Sequence, residues 1–568
     1  MERFVVRQVA AMLGVVLALG IVPAMPANAD DLPAPGVARL SLIGGDVAIQ
    51  RADADGPSAA AINAPLLAGD VVSTGDAANA EVQFDSRTML RFDQDAQVRI
   101  TSIDPARREA QLAGGTIDLR TFAGFAGTDQ IDTPSVSVRP DGAGSIRITV
   151  ADDGSTAITV RAGRAQILTP QSSIALVAGN TLIARGDAAA PSIDYASAPP
   201  IDAFDQFCGA RDRDATAGFA AAYVNPNIAF VDFARYGRWV FDPRYGEVWV
   251  PNGVGPNWAP YRFGRFVWED GYGWTWLSDE PWGWAPYHYG RWYYSTSYGG
   301  WCWYPPPVAV RPVWAPALVG FFTFGNVSVG VGFGNIAWVP LAPYEVYHPW
   351  YGWSGGRFGP TIVNNVTITN INITRVYVNV SRPGAVTGLP GTRFTEGRFE
   401  RPQPVAIAAI GTAQAVHGAL PIVPTERNLT FSTRSVPPAL ANRTATLVEH
   451  HSFAGPPVLE THRTPFVQQR SLINAHLTAP PATPAPDVRP GRGYAPGNGL
   501  TPPPAFRTPP AYRTPPPAFR TPPPSYRTPP SRYRPAAVPT IAPTAPPRPR
   551  QRRLPSRRPT PRPTVSPR

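Results

Sequence analysis

The sequence predicts a mainly β protein with three parts: a β roll or sandwich, an antiparallel module of aromatic-rich hairpins, and a disordered tail rich in Pro and Arg. The first part is predicted by short β-rich runs that turn residues interrupt roughly every 8 to 12 positions. The second is predicted by aromatic residues at period two, which share one face of a strand. The third is predicted by Pro-rich sequence almost without acids, which cannot build a core.

The first 29 residues have the three parts of a secretory signal peptide. Arg3 and Arg7 make the start basic, residues 9–22 are apolar or small, and Ala27-Asn28-Ala29 supplies a cleavage site. This apolar run is shorter than the roughly 18 to 20 residues that cross a bilayer core. The sequence therefore predicts a cleaved signal peptide at 1–29, a periplasmic or otherwise extracytoplasmic location, and no transmembrane span in the mature chain.

Residues 36–190 consist of short strand-like runs separated by turn signals. Val71-Val72-Ser73-Thr74 follows Gly69-Asp70, and the alternating run from Ala80 to Phe84 meets Asp85-Ser86. Runs of the same kind continue through the rest of this range. Such spacing is typical of an all-β roll or sandwich, so we predict one β domain here.

Three motifs of this region are L-x-G-D-V-V-x-T from Leu67 to Thr74, A-x-V-x-F-D-S from Ala80 to Ser86, and the turn from Val160 to Gly163. Together they resemble the periplasmic FecR domain. Members of the iron-signalling type join a cytoplasmic region that contacts a sigma factor to a periplasmic part that meets a receptor. Only about eight residues precede the apolar run, so the resemblance implies a FecR-like fold without a sigma-binding arm of its own.

Residues 201–222 have spaced apolar positions and good helix formers, which predicts a connecting helix. Within this helix, Asp212 and Asp214 are interleaved with Arg211 and Arg213. Alternating charges of this kind are typical of a solvated helix face. We therefore expect these four side chains to be exposed.

All 15 Trp lie within 115 consecutive residues, and their order reveals an internal repeat. Trp249, Trp276 and Trp303 are spaced 27 residues apart, and each copy begins with Gly-Arg and an aromatic residue. Gly residues at these positions indicate hairpin turns or rings that pack on bare backbone. The repeat predicts a β domain of aromatic hairpins at 223–380 whose copies pack on one another.

The motifs YGRW, YGEVWVP, WAPY, GWTW and EPWGWAPYHYGRW follow in order and lead to WVPLAPYEVYHPWY. They resemble a Trp/Tyr/Gly-rich domain of unknown function that occurs in secreted bacterial proteins, often directly after a FecR domain. The likeness extends from about Tyr223 to about Asn365. It implies an architecture and an extracytoplasmic location, but no activity.

Beyond Ser381 the sequence has no sustained periodicity, so we expect residues 381–480 to be weakly ordered, with a short helix at 464–477. After this range the motif Arg-Thr-Pro-Pro recurs four times between 505 and 530. Such sequence favours extended polyproline II and predicts a disordered tail at 481–568.

The predicted tail is strongly basic. It carries 16 Arg and the single acid Asp487, whereas residues 30–200 carry 21 acids and 13 Arg. A basic arm usually indicates nucleic acid, but export removes nucleic acid as the ordinary partner. We expect an anionic envelope polymer, either peptidoglycan or lipopolysaccharide, or another envelope protein as the partner. A solvated tail without a partner is the alternative.

Motifs that suggest catalysis lack the context that the chemistry needs. Gly352 to Gly356 matches G-x-S-x-G around Ser354, but prolines nearby exclude the strand and helix of a nucleophile elbow. Gly330 to Gly334 lacks the Lys of a phosphate loop. The seven His are scattered, without the spacing of metal ligands. The sequence predicts no enzyme activity, no cofactor and no metal site.

Two pairs of neighbouring acids, Glu269-Asp270 and Asp279-Glu280, lie beside many Trp, which superficially suggests a sugar hydrolase. Glycoside hydrolysis needs two carboxyl groups that face each other across a cleft. Neighbours on one turn do not supply that geometry. We expect these acids to cap turns or to pair with Arg265 and Arg291.

Aromatic rings stack on sugar faces and on cations such as Arg. We expect most of the Trp to form the core of the aromatic hairpins, with a few rings at the rim. The candidate ligand contacts at this rim are Trp258, Trp284, Tyr287, His288 and Trp292.

Cys208 and Cys302 are the two cysteines of the chain. An oxidising compartment allows them to form a disulfide, but they lie in different segments. A disulfide and two separate thiols are both compatible with the sequence.

Taken together, these features predict a non-enzymatic exported cell-envelope protein that binds or scaffolds through its β modules and a basic Pro-rich tail. One alternative is an envelope-sensing component of FecR-type signalling without its own sigma-binding arm. Another is a carbohydrate-binding protein that uses the aromatic repeats.

Overall fold

The fold is that of a computed structural model of the chain, which describes most of residues 36–478. The predicted signal peptide, the motif around Ser354, the Gly-rich run at 330–334 and the tail at 481–568 lie outside the described residues. The internal positions left undescribed are 105, 125–127, 219–224, 229–232, 309–311, 325–334, 348–366, 370–376, 383, 397–401, 407–412, 418–419, 421, 447–451 and 456–462.

A first β domain contains strands β1 to β17. Most are short, but β9 runs for 15 residues. Their bounds are β1 Ala38–Gly44, β2 Val47–Gln50, β3 Ser58–Ala59, β4 Pro65–Leu66, β5 Val71–Thr74, β6 Asn79–Gln83, β7 Thr88–Phe92, β8 Gln97–Asp104, β9 Arg107–Thr121, β10 Thr128–Asp132, β11 Ser137–Pro140, β12 Gly144–Val150, β13 Thr156–Ala162, β14 Arg164–Leu168, β15 Ser173–Val177, β16 Asn180–Arg185 and β17 Ser192–Ser197.

These strands form two sheets that share β9. The first sheet has the order β4-β1-β6-β7-β9-β12-β13-β16-β17. The second has the order β3-β2-β5-β8-β9-β10-β11-β14-β15. Among the described pairings of this domain, only that of β9 with β10 is parallel. The prediction of a mainly β roll or sandwich is confirmed.

Aliphatic side chains from both sheets form one core. Strand β12 illustrates the pattern: Ile146, Ile148 and Val150 are buried, whereas Arg147 and Thr149 between them are partly exposed. Successive side chains of a strand point to opposite faces. One face of each sheet therefore fills the core, and the other face carries polar residues.

Helix α1, Ala203–Gly218, covers the polar face of the first sheet. Its Arg211 binds Glu81 at 2.7 Å, and its Asp212 binds Arg91 at 2.7 Å. The structure thus contains a helix within 201–222, but the expectation of a solvated charged face is wrong at these two residues. The sheet supplies the opposite charges, so the alternating pattern marks a docking face, while Asp214 remains 56% exposed.

The aromatic domain is built from four hairpins, and the first three correspond to the three sequence copies. In each of these copies the Trp at the 27-residue spacing lies in the second strand. The elements are α2 Phe233–Tyr236, β18 Gly237–Asp242, β19 Gly246–Pro251, β20 Gly264–Glu269, β21 Gly273–Ser278, α3 Ala285–His288, β22 Arg291–Ser295, β23 Gly300–Tyr304, β24 Val319–Phe324, β25 Asn335–Pro340 and β26 Thr367–Thr369.

Glycine opens each of the three copies because a ring occupies the place of its side chain. A Cβ at Gly237 would lie 2.2 Å from the ring of Trp249, and one at Gly264 would lie 2.8 Å from the ring of Trp276. The third copy has the same arrangement. No side chain fits at these distances, so the predicted packing of rings on bare backbone is confirmed.

The first and third copies form one sheet, β18-β19-β23-β22, joined where Trp249 pairs with Trp303. The second copy, β20–β21, is separate and packs against β25, with the rings of Phe266 and Trp338 5.1 Å apart. The other described sheet has the order β26-β29-β24-β25-β27-β28. The copies therefore pack together, as predicted, but not as one continuous meander.

Residues 381–480 differ from the expectation of weak order, because their described parts pack on both domains. Phe466 and Ile473 lie in the aromatic core, and Phe431 lies in the aliphatic core. Such isolated apolar residues produce no periodicity, which explains why the sequence does not predict them. The elements, besides two short 3-10 turns at Val378–Ser381 and Glu426–Leu429, are β27 Thr387–Pro390, α4 Gly391–Thr395, β28 Gln403–Pro404, β29 Gln414–His417, α5 Pro438–Thr446 and α6 Phe466–Thr478.

Within the part of the chain that the structure describes, no helix is long and apolar enough to cross a membrane.

Candidate functional site

Hairpin β20–β21 lies between the two domains and is buried on both faces. Phe266, Trp268 and Trp276 belong to the aromatic core, whereas Val267 and Leu277 belong to the aliphatic core of the first β domain. Every residue of β21 is buried. The second aromatic copy therefore joins the two domains.

A buried cluster of charges lies at one end of this hairpin. Arg51, which follows β2, binds Asp53 through two hydrogen bonds of 3.0 Å and donates to Glu269 at 2.7 Å. All three side chains are at most 1% exposed. Because Glu269 ends β20, the ion pair of Arg51 with Glu269 crosses the boundary between the domains.

Arg463, in the segment before α6, is the second cation of the cluster. It binds Asp70, lies 3.1 Å from Asp53, and lies 3.7 Å from Glu269. Asp70 also accepts a hydrogen bond of 2.9 Å from the backbone N–H of Leu67. The cluster thus holds the first β domain, the aromatic domain and the C-terminal segment at one point.

This cluster has three carboxyl groups and two guanidinium groups. Burial raises the pKa of Glu269 to about 8, in spite of Arg51 and Arg463. Burial acts on Asp53 in the same sense, but the two arginines overcome it and lower the pKa of Asp53. Burial also raises the pKa of Asp70, although Asp70 accepts hydrogen bonds from Arg463 and from backbone. A proton on Glu269 balances the charges of the cluster at neutral pH.

A second polar contact joins the domains beyond β21. Asn63 donates from Nδ2 to the carbonyl oxygens of Ser278 and Glu280, at 3.0 and 2.7 Å. Its Oδ1 accepts from Nε of Arg39 at 3.0 Å, and Arg39 also donates to the carbonyl of Pro281. Asn63 adopts a φ of +62°, a conformation that Asn tolerates better than most residues. The loop after the hairpin is therefore held by backbone-directed hydrogen bonds.

Glu280 in this loop binds aromatic side chains. Its Oε1 accepts from Nε1 of Trp258 at 2.6 Å, and its Oε2 accepts from the hydroxyl of Tyr287. Burial raises the pKa of Glu280 to about 7. This carboxyl fixes the positions of two rings and is already saturated with protein donors.

The predicted partners of the paired acids are wrong. Glu269 binds Arg51 and Arg463, whereas Arg265 donates to the carbonyl of Thr430 at 3.2 Å. Arg291 donates to the carbonyl of Glu345 at 3.3 Å. The sequence suggests neighbours of the same repeat, but the fold brings in cations from distant segments.

Two family models match the chain, one in each β domain. The model described as "FecR protein" matches residues 70–166, inside the two shared sheets. The model described as "Family of unknown function (DUF6600)" matches residues 230–345, which contain the aromatic hairpins. The first β domain is a FecR domain, and the aromatic domain is a DUF6600 domain. Both resemblances found in the sequence are confirmed.

Two crystal structures resemble part of the chain, and both are of a "putative anti-sigma factor" from Parabacteroides distasonis ATCC 8503. They share 18% and 17% sequence identity with this chain, and each match covers 27% of it and 67% of the other protein. The TM-score of 0.20 in both cases supports no conclusion beyond the matched part. No curated protein gives a significant match.

All five candidate ligand contacts lie in the core of the DUF6600 domain. Trp258 is 8% exposed, and Trp284, Tyr287, His288 and Trp292 are at most 1% exposed. The fold therefore does not place them at a rim, because the neighbouring hairpins and the C-terminal segment cover them. Contact with a ligand stays a prediction, and in this conformation only the edge of Trp258 could make it.

His288 illustrates how these rings are held. Its ring stacks on Trp314, with centroids 4.8 Å apart and planes 18° apart, and its Nδ1 lies 2.8 Å from the carbonyl oxygen of Ala315. Burial lowers its pKa to about 3. His288 is therefore neutral and packed, in agreement with the structural interpretation of the sequence.

The two cysteines are free thiols that lie in different places. Cys208 belongs to α1, where its carbonyl accepts from Arg91 at 3.0 Å, and Cys302 packs with Val248 and Val250 in the DUF6600 domain. Burial raises the pKa of Cys302 to about 12 and raises that of Cys208 as well. A disulfide between them is not part of this fold.

Among the described residues, no group of three or more His, Cys, Asp and Glu side chains could hold a metal ion.

Arg463 is the residue of the cluster that sequence reasoning misses completely. It lies in a segment without periodicity, next to Thr464 and Pro465. The backbone N–H of Thr464 donates to Asp270 at 3.1 Å, which fixes this segment against β20. A lone Arg in such a context carries no signal, since its partners are almost 200 or more residues away.

Proposed function

We propose that the protein is a non-catalytic, extracytoplasmic component of FecR-type signalling that senses a state of the cell envelope by binding another envelope component. The observation that carries this proposal is the buried pair of Arg51 with Glu269, which fixes the FecR domain to the DUF6600 domain. A partner that binds one domain therefore acts on both.

The domain composition supports a signalling role. The FecR match covers the sheets that carry α1 and the interdomain cluster. Two further contacts strengthen the connection: hairpin β20–β21 enters both cores, and α6 packs on the DUF6600 domain. A rigid two-domain body can transmit binding at one surface to another, because its packed core does not deform continuously.

The groups that might suggest catalysis support binding instead. Glu269 is held by two arginines, Glu280 accepts from Trp258 and Tyr287, and His288 is stacked in the core. A general acid or base has to reach a substrate within hydrogen-bonding distance. These groups spend their hydrogen bonds inside the protein.

Crosslinking in the native cell tests this proposal. We expect the wild-type protein to fractionate with the envelope and to crosslink to an envelope protein, and deletion of the gene to change the transcripts of a sigma-factor regulon. Arg51→Met should restore the transcripts poorly, because it loosens the two domains. Arg434→Met, which removes an exposed ion pair with Asp46, is the matched control and should restore them fully. Unchanged transcripts after deletion would contradict the signalling role.

A second function rests on the charge of the tail. The 16 Arg and single acid of residues 481–568 favour binding to an anionic envelope polymer such as peptidoglycan or lipopolysaccharide. We expect isolated peptidoglycan to retain the full chain and to retain a chain without residues 481–568 much less, with the difference shrinking at high salt. Equal retention of both chains at physiological salt would remove this function.

A further inference from the structure

A groove of about 530 Å³ opens on the DUF6600 domain between the third hairpin and the chain that follows β25. Four of its lining residues are aromatic: Tyr289, Tyr304, Trp314 and Tyr344. Prolines from residues 305–307 and Pro312 form another part of its wall. The cavity is thus apolar and aromatic, and it is open to solvent along the ring of Tyr344, which is 75% exposed.

Three tyrosine rings form a continuous surface at this opening. The ring of Tyr304 lies 6.3 Å from that of Tyr344, and Tyr245 lies 5.6 Å from Tyr304 and 6.2 Å from Tyr344. The guanidinium of Arg244 already stacks on Tyr245, 5.1 Å from its centroid. This surface therefore accepts both flat apolar groups and guanidinium groups.

The exposure of Tyr344 is imposed by the local backbone. Its φ is +69°, a conformation that bulky residues rarely adopt. The turn around it is fixed by Glu345, whose carboxylate accepts from the backbone N–H of Ala342 at 2.7 Å and of Val378 at 2.6 Å. Strain of this kind persists where surrounding structure over-determines it, and it concentrates at functional sites.

We propose that this groove binds a proline-rich segment in the polyproline II conformation, and that the occupant is an Arg-Thr-Pro-Pro repeat from a second copy of the chain. Proline-rich segments dock in aromatic-lined grooves because their extended conformation is already formed and costs little entropy on binding. The inference is independent of the proposed signalling role.

The sequence of the repeats matches the chemistry of the groove. Each of the four repeats between 505 and 530 places Phe or Tyr and Arg directly before Thr-Pro-Pro. The prolines fit between the tyrosine rings, and the Arg stacks on a ring as Arg244 stacks on Tyr245. Four repeats in one chain also raise the effective concentration for binding to a neighbouring molecule. The groove therefore acts as a self-association site.

Sedimentation of the full-length protein over a range of concentrations tests the proposal. We expect wild type to associate as its concentration rises, and a full-length variant with the prolines of 505–530 replaced by Ala to remain a monomer. Tyr344→Ala should weaken association about fivefold or more, through the loss of one stacked ring. Tyr195→Ala is the matched control, since Tyr195 is 65% exposed on β17 of the FecR domain, and it should change nothing.

A labelled peptide of residues 505–517 identifies the groove directly. Its fluorescence anisotropy should rise on the proline-substituted full-length variant, and Tyr344→Ala in that background should weaken binding by the same factor as it weakens association. A peptide with Ala in place of Pro should not bind. The proposal is overturned if wild type stays monomeric at all concentrations, if Tyr344→Ala behaves like Tyr195→Ala, or if the Ala peptide binds equally well.

Discussion

Glu81 and Glu269 are both fully buried glutamates that face two arginines, yet their pKa values shift in opposite directions. Glu81, beneath α1, binds Arg91 at 3.0 Å and Arg211 at 2.7 Å. Burial alone would raise its pKa, but the arginines lower it to about 2. At the domain boundary, burial raises the pKa of Glu269 to about 8. Equal burial and equal numbers of cations therefore do not decide the charge of a carboxyl group.

The difference comes from the competing acids around each glutamate. Beneath α1, Asp212 shares Arg91 but also binds Arg120 at 2.9 Å, and with Asp118 the cluster has three acids for three arginines. At the domain boundary, three acids share two arginines. A buried cluster tolerates net charge poorly, so the boundary cluster retains a proton. The docking of α1 depends on ionised groups, whereas the junction of the two domains depends on one neutral carboxyl.

Removal of a cation from the boundary cluster should have the largest effect. Arg51→Met leaves Asp53, Asp70 and Glu269 with Arg463 alone, and loss of one partner of a buried ion pair costs about 3–5 kcal/mol. We expect the free energy of unfolding in guanidinium chloride to fall by that amount. Arg434→Met should change it by less than about 1 kcal/mol, because that ion pair is exposed. A loss equal to that of Arg434→Met would show that the boundary cluster contributes little.

The isosteric change of Glu to Gln should separate the two glutamates. Glu81→Gln removes a charge that Arg91 and Arg211 require, so we expect it to cost about 2–3 kcal/mol. Glu269→Gln replaces a carboxyl that is already neutral, so its cost at pH 7 should stay below about 1 kcal/mol. Equal losses in the two variants, measured by the same denaturation, would contradict the difference in charge balance.

The pH dependence of stability should follow the same division. Folded Glu269 keeps its proton up to about pH 8, whereas its usual pKa is 4.5. The folded chain thus binds more protons between these values, and the contribution of Glu269 to stability is complete below 4.5 and lost as the pH rises through 8. Relative to Glu269→Gln, the free energy of unfolding of wild type should fall by on the order of 1 kcal/mol per pH unit in this range.

The helix cluster should show the opposite sign. The contribution of Glu81 is present above its usual pKa of 4.5 and is lost as the pH falls towards 2. Denaturation of wild type and Glu81→Gln between pH 2 and 5 measures this difference. If both glutamates lost their contributions in the same direction of pH, the comparison would not hold.

Asp214 provides the smallest change. It lies in α1 but is 56% exposed, and its bond to Arg211 is a surface contact of 3.3 Å. Asp214→Ala should lower the free energy of unfolding by less than about 0.5 kcal/mol. A loss comparable to that of Glu81→Gln would mean that the outer face of α1, too, is structural.

The sequence predicts the two β domains, the helix bounds and the aromatic hairpins because their signals are local. Alternation in β12 and the spacing of Trp249, Trp276 and Trp303 each report one side of a strand. The junction is not predictable in this way. Arg51, Glu269 and Arg463 are separated by about 200 residues each, and only the folded chain brings them together.

The same limit explains the misplaced aromatic candidates. Composition identifies the rings that stack, but not which neighbouring segment covers them. Trp258 and Tyr287 are buried because Glu280 and the surrounding hairpins enclose them. Tyr344, by contrast, becomes exposed through a φ of +69° that no residue pattern announces.

The central claim is that the FecR and DUF6600 domains unfold as one body because the boundary cluster joins them. Hydrogen exchange measured by mass spectrometry tests it most directly, through the slowest amides of β12–β13 in one domain and β20–β21 in the other. We predict the same free energy of opening for both hairpins in wild type, and a lower value for β20–β21 alone in Arg51→Met. Different values for the two hairpins already in the wild-type protein would contradict the claim.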